Sequence, residues 1–120
     1  MDDKERIAKV LGTYRVEIRA KSPKSYSMWQ QNRTIMPAGV GSIFRLADPF
    51  PMIVKRAKGS SIWDADDNEY LDFMLGFGTL ILGNAPEEVE AAIREALPYG
   101  THYGQCHERE YAFAKLFCDM

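Results

Sequence analysis

The stretch GSSIWDADDNEYLDFMLGFGTLILGNAP, Gly59 to Pro86, holds the densest turn chemistry and the most aromatic and glycine punctuation in the chain. Ser61 to Asp64 and Glu69 to Phe73 are short runs rich in Ile, Trp, Tyr and Phe, joined by Ala65-Asp66-Asp67-Asn68. Aromatic and β-branched runs on either side of an Asp/Asn cluster predict a β-hairpin. The short side chains of Asp and Asn bond nearby backbone and tolerate left-handed dihedrals. Trp63 and Tyr70 are expected to pack on one face of this hairpin. Asp64, Asp66 and Asp67 invite a calcium reading, but an EF-hand loop counted from Asp64 needs Gly at position 69 and Glu at position 75. Glu69 and Leu75 stand there, so the reading is a solvated acidic turn.

Working upstream, Met52 to Arg56 is a strand candidate and Lys58-Gly59 a turn, which predicts a three-stranded antiparallel meander. Asp48-Pro49-Phe50-Pro51 forces extended chain. Met36 to Ser42 is rich in glycine and contains the helix breaker Pro37. Such backbone can approach a ligand closely, or can simply connect a helical arm to a sheet. Arg45 follows it between apolar Phe44 and Leu46, where a planar guanidinium could clamp a carboxylate or form a surface ion pair. Ile7, Val10, Leu11, Tyr14 and Ile18 recur at helical steps and predict an amphipathic helix over residues 2–20. Residues 25–33 suggest a short helix without a defined face.

Downstream, Gly76-Phe77-Gly78 permits an irregular backbone. The segment is no dinucleotide fingerprint, since the third glycine is misplaced and no helix opens directly. Pro86 with Glu87 and Glu88 starts a helix in agreement with its dipole, and Pro98-Tyr99-Gly100 stops it. Residues 108–120 again read as helix, apolar nearly all round and therefore expected to be buried on most sides. No Gly, Asn or Pro closes this helix, so the chain reads as cut within an element.

The 120 residues suit one domain, and the formal charge of −2 is spread over 15 basic and 17 acidic residues. Without a basic face the chain is not expected to bind nucleic acid. The apolar run at Thr79 to Leu82 is far too short to cross a bilayer, and the acidic start is no signal peptide. Cys106 and Cys118 give no disulfide framework and are expected reduced, in cytoplasm. His102, Cys106 and His107 offer too few ligands for zinc and no third group to orient a Cys/His pair, so neither metal nor nucleophilic chemistry is expected of them.

Taken together, Met36-Pro-Ala-Gly-Val-Gly-Ser-Ile-Phe-Arg45, Ala57-Lys-Gly59, Trp63 through Asp72, Gly76-Phe-Gly78, Leu82-Gly83 and Gly104 through Glu110 form an ordered set. The set resembles the N-terminal part of class III pyridoxal-phosphate aminotransferases, above all glutamate-1-semialdehyde aminomutase and β-amino-acid aminotransferases. The resemblance implies an α/β protein, the N-terminal part of fold type I, usually a homodimer that acts on an amino-acid or amino-aldehyde substrate. It implies a helical arm at 1–35, a glycine-rich substrate-side loop at 36–51, the meander and loop of a small domain at 52–83, and helices at 84–120 leading into a large cofactor domain outside the chain. It assigns Ser42 and Arg45 to the substrate, the arginine to its carboxylate, and Phe77 to the same pocket, where tryptophan is more usual. Gly41, Ile43 and Asn84 depart from a common asparagine, proline and histidine.

Family chemistry needs a Schiff-base lysine, an aspartate on the cofactor's pyridinium nitrogen and a phosphate loop. Lys4, Lys9, Lys21, Lys24, Lys55, Lys58 and Lys115 match no such motif, so no catalytic residue is expected in this chain. The resulting expectation is an inactive N-terminal fragment of an aminotransferase or aminomutase. A stand-alone helix-and-hairpin interaction or dimerisation module is the alternative, and its apolar last helix would then need a partner.

Overall fold

A computed structural model describes residues 2–120. The chain divides into two compact units, Met1–Pro86 and Glu87–Met120. The first begins with α1 (Asp3–Lys21) and α2 (Pro23–Asn32). Asp2 and Glu5 form a reciprocal capping box on α1, with acidic residues in its first turn and Arg19 and Lys21 in its last, each sign placed to oppose the helix dipole. Proline starts α2 at a position where its missing N–H costs nothing.

The predicted meander forms as a sheet in the order β1 (Val54–Lys58), β2 (Ser61–Asp64), β3 (Glu69–Leu71), antiparallel throughout. β1 starts two residues later than the sequence suggests, and β3 ends at Leu71 because Asp72 turns the chain. Pairing of Ile62 with Tyr70 and of Trp63 with Glu69 fixes the faces. Side chains alternate across a strand, so Trp63 and Tyr70 lie on opposite faces, contrary to expectation. Arg56 covers the Trp63 ring at 3.7 Å, while Tyr70 shares the face of Ile62 and Asp64.

The acidic turn is solvated only in part: Asp67 is exposed and paired with Lys55, but Asp64 is not. Asp64 is 1% exposed, and its two oxygens accept five hydrogen bonds. Oδ1 takes the amides of Asp66 and Asn68, both at 2.9 Å. Oδ2 takes Ser22 Oγ at 2.8 Å, Asn68 Nδ2 at 2.9 Å and Tyr70 OH at 3.2 Å. Burial pushes this carboxyl up, but the bonds from Asn68, Ser22 and Asp66 outweigh it and hold the group below its ordinary value. Asp66 reaches α2 and accepts from the amides of Lys24 and Ser25 and from Ser25 Oγ. Ser22 and Ser25 are buried beneath these contacts.

The apolar core of this unit centres on Phe50, the buried large hydrophobe, with Tyr26 edge-on at 5.3 Å and Trp29 stacked at 6.2 Å. Truncating such a phenylalanine costs about 3–5 kcal/mol. Beyond β3, Asp72 accepts from the amides of Met74 and Leu75, and a distorted turn α3 (Leu75–Gly78) follows. Asn84 closes this excursion by pairing with Gly59 backbone and donating to Asp72 at 2.8 Å.

The second unit holds α4 (Glu87–Ala96), a 3-10 turn at Leu97–Tyr99 and α5 (Glu110–Cys118). Gly100, at φ +104°, takes the chain out of that turn. Tyr103 stacks on His107 at 5.1 Å and donates to the Tyr99 carbonyl. The apolar residues of α5 are exposed, Tyr111, Phe113 and Phe117 all above two-thirds, where sequence led us to expect burial on most sides. Cys118 on this helix is exposed too, as is Cys106, and both are free thiols. Among the described residues no helix is long and apolar enough to cross a membrane.

Candidate functional site

The glycine-rich segment leaves α2 through a turn at Asn32–Met36 and makes two 3-10 turns, Pro37–Gly39 and Ile43–Arg45. The first requires left-handed backbone at Ala38 (φ 54°) and Gly39 (φ 73°). At Gly39 only glycine fits, because a Cβ would lie 2.7 Å from Arg33 Cγ and 2.8 Å from Trp29 Cδ1. Trp29 Nε1 donates to the Ala38 carbonyl at 3.1 Å. In sequence Trp29 reads only as one apolar residue of a short helix without a defined face. The available signal was its spacing from the proline and glycine that turn back toward it.

Ser42 and Arg45 stand at the two ends of the second turn, where the Arg45 amide donates to the Ser42 carbonyl at 3.0 Å. Arg45 lines a groove of about 480 Å³ with Gly41, Met52 and Val54. Ser42 lines the neighbouring hollow of about 390 Å³ between Pro37 and Ile43. Gly41 lies in the groove beside the guanidinium, and a Cβ there would still leave 3.9 Å to Arg45 Nη1. Arg45 is exposed and forms no ion pair among the described residues, whereas Arg15, Lys55, Arg94 and Lys115 each hold a carboxylate. Among the described residues, the guanidinium at the groove therefore has no carboxylate partner.

Phe77 is placed elsewhere, on α3, and lines neither hollow. It is two-thirds exposed at φ 62°, in the left-handed region, directly after Gly76 at φ 60°. A bulky residue there is strained, which is how a loop can present a ring outward. The strain is held from below by Asp72 and Asn84. The Asn84 bond leads the causes that hold the Asp72 carboxyl below its ordinary value, followed by the Leu75 amide.

His102 and Cys106 line an open cleft of the second unit, and the Nδ1 of His107 accepts the Arg109 amide. Among the described residues no three His, Cys, Asp or Glu side chains gather as for a metal. Lys55 is paired with Asp67, Lys58 donates to the Ala85 carbonyl, Lys115 to Asp119, and Lys21 lies over Tyr70. Lys4, Lys9 and Lys24 are exposed.

Residues 43–115 match the family described as aminotransferase class-III. Over 99 residues the chain is 39% identical to a glutamate-1-semialdehyde 2,1-aminomutase of Sulfurihydrogenibium sp. (strain YO3AOP1), covering 80% of this chain and 23% of that protein. Over 95 residues it is 41% identical to the protein of the same name from Methanosphaera stadtmanae, covering 79% and 22%. Among solved structures, a β-phenylalanine aminotransferase from Variovorax paradoxus superposes with a TM-score of 0.86 at 25% identity, over 94% of this chain and 26% of that one. An omega-transaminase from Sphaerobacter thermophilus gives 0.74 at 28% identity, over 79% and 22%. The chain thus spans less than a quarter of the length of these two curated relatives. The helices and three-stranded antiparallel sheet are the corresponding part of the fold of these transaminases, an incomplete domain.

Proposed function

Since the chain belongs to the class III aminotransferase family, we propose that it serves as the N-terminal part of a longer pyridoxal-phosphate enzyme that moves an amino group on an amino-acid-like substrate, in the manner of glutamate-1-semialdehyde aminomutase. In that enzyme residues 1–35 are the helical arm, 36–51 the substrate-side loop, 52–83 the meander and loop of the small domain, and 84–120 the approach to the cofactor domain. The cofactor supplies carbanion stabilisation when bound, and its lysine, aspartate and phosphate loop belong to the remainder of the enzyme. This chain contributes substrate recognition. The enzyme is proposed to be a cytoplasmic homodimer, and the 120 residues alone to be inactive.

The observation that carries the site assignment is Arg45, an arginine without a protein carboxylate, at the edge of a groove and beside a glycine that leaves it clear. Its fork suits a substrate carboxylate bidentately, with Ser42 on the same turn as a hydroxyl partner. Phe77, which lines neither hollow in this chain, is proposed to meet the substrate from its own loop in the longer enzyme.

The test uses the longer protein. A hydrogen-bonded charge is worth about 1.5–3 kcal/mol, so Arg45→Ala should lower kcat/KM for a carboxylate substrate by about 10- to 150-fold. A carboxyl-free amine should be used as before. Unchanged kinetics on the carboxylate would remove Arg45 from the site. With the 120-residue chain, pyridoxal phosphate should give no stoichiometric, borohydride-trappable imine, and forming one would contradict the assignment of the catalytic lysine to the remainder.

A further inference from the structure

Ser42 and Arg45 can orient a ligand only if the loop bearing them is fixed; its hydrogen bonds within the 3-10 turns are too local to fix it, and its ion pair to α1, Arg15 with Asp48 at 2.9 Å, is half-exposed and lies near the returning end alone. From the contacts at its two ends we infer that Trp29 is the positioning residue of the 38–50 loop. The inference rests on the proposed function only for what the loop binds. On the outgoing side, the indole N–H donates to Ala38, and Gly39 is buried against the same ring so closely that a Cβ would lie 2.8–2.9 Å from it. On the returning side, Phe50 is buried and stacks on that ring. One side chain therefore touches both ends, and the eleven residues between Ala38 and Phe50 include the groove arginine.

Trp29 is itself braced. Arg33 lies over its ring at 5.0 Å and Tyr26 packs at 5.9 Å. Asp66 in the hairpin turn holds the first amides of α2. The line of contact runs from hairpin turn to α2, from α2 to indole, and from indole to loop. The indole bond is the specific step. A phenylalanine at position 29 could keep the stack on Phe50 and would lose the Ala38 bond.

Limited trypsin digestion of the full 120-residue chain tests this. Proteolysis tracks the population of locally opened chain when opening is fast. Trp29→Phe should speed cleavage after Arg45 about fivefold, the equivalent of about 1 kcal/mol for one hydrogen bond. Cleavage after Arg56, within β1, should keep its rate, and the urea midpoint reported by Trp63 fluorescence should stay in place. Gly39→Ala, which attacks the contact from the loop side, should give the same selective opening. An unchanged rate after Arg45 in both variants overturns the inference. A rise after both arginines together with a lower midpoint overturns it too, because Trp29 would then be a general core residue. The digestion reads loop order and the Arg45→Ala kinetics read substrate use, so each can fail without the other.

Discussion

Replacing Asp64 by Asn keeps the shape of the side chain and puts a donor where three of its five hydrogen bonds are accepted. The carbonyl oxygen can still take the amides of Asp66 and Asn68. The new amide nitrogen then faces Ser22 Oγ and Tyr70 OH, which can rotate to accept, and Asn68 Nδ2, which cannot. Two donors 2.9 Å apart in a buried site lose one charge-assisted bond and leave one donor unsatisfied, about 2–4 kcal/mol together. Both tryptophans lie in the Met1–Pro86 unit, so urea unfolding followed by fluorescence reports this unit. Asp64→Asn should lower its stability by that amount at pH 7. The acid limb gives an independent reading. The folded carboxyl lies below its ordinary value of 3.8, so its contribution is complete above about pH 4 and is lost as pH falls through the folded value. The variant should therefore converge on the parent at low pH. A deficit below about 0.5 kcal/mol at pH 7, or one that persists unchanged into acid, would refute the assignment of Asp64 as a buried, ionised staple.

The loop carrying Phe77 yields two more outcomes. Asn84→Ala removes the main cause of the depressed Asp72 carboxyl, so its NMR titration should move upward toward the ordinary value; an unmoved titration would assign that depression to the Met74 and Leu75 amides alone. Gly83→Ala places a methyl 2.9 Å from the Gly59 carbonyl at φ +81°, and should destabilise the unit by about 1–3 kcal/mol. A neutral urea midpoint would mean that the Gly59–Asn84 bridge yields without cost.

What the sequence makes legible here is local. Aromatic runs around Asp-Asp-Asn fix the hairpin, Pro86 with two glutamates starts α4, and the ordered motifs from Met36 to Glu110 point to the family. What stays hidden depends on partners distant in sequence. An acidic turn reads as solvated because buried carboxylates are rare unless paired. The partner that buries Asp64 most directly is Ser22, 42 residues earlier. Trp63 and Tyr70 read as one face because both are aromatic and flank one turn, whereas register alone decides the face and an odd offset separates them. Arg45 and Ser42 share a turn for reasons visible in four residues. Phe77 lies on another loop, so its relation to them is set by contacts no spacing encodes.

The hairpin turn also explains a local rule that α2 breaks. Ser22 occupies the N-cap of α2, a position serine favours, yet its side chain makes no cap bond. The hydroxyl instead donates to Asp64, and the capping of Lys24 and Ser25 passes to Asp66 on the turn. A ten-residue helix without its own cap is marginal in water. Formation of α2 is thereby tied to formation of the hairpin, and Trp29 is carried on α2. Apart from the strand pairing of Asp64 with Val54, the aspartates between Trp63 and Asp72 bear on the loop of Arg45 at one remove, through α2 and Trp29.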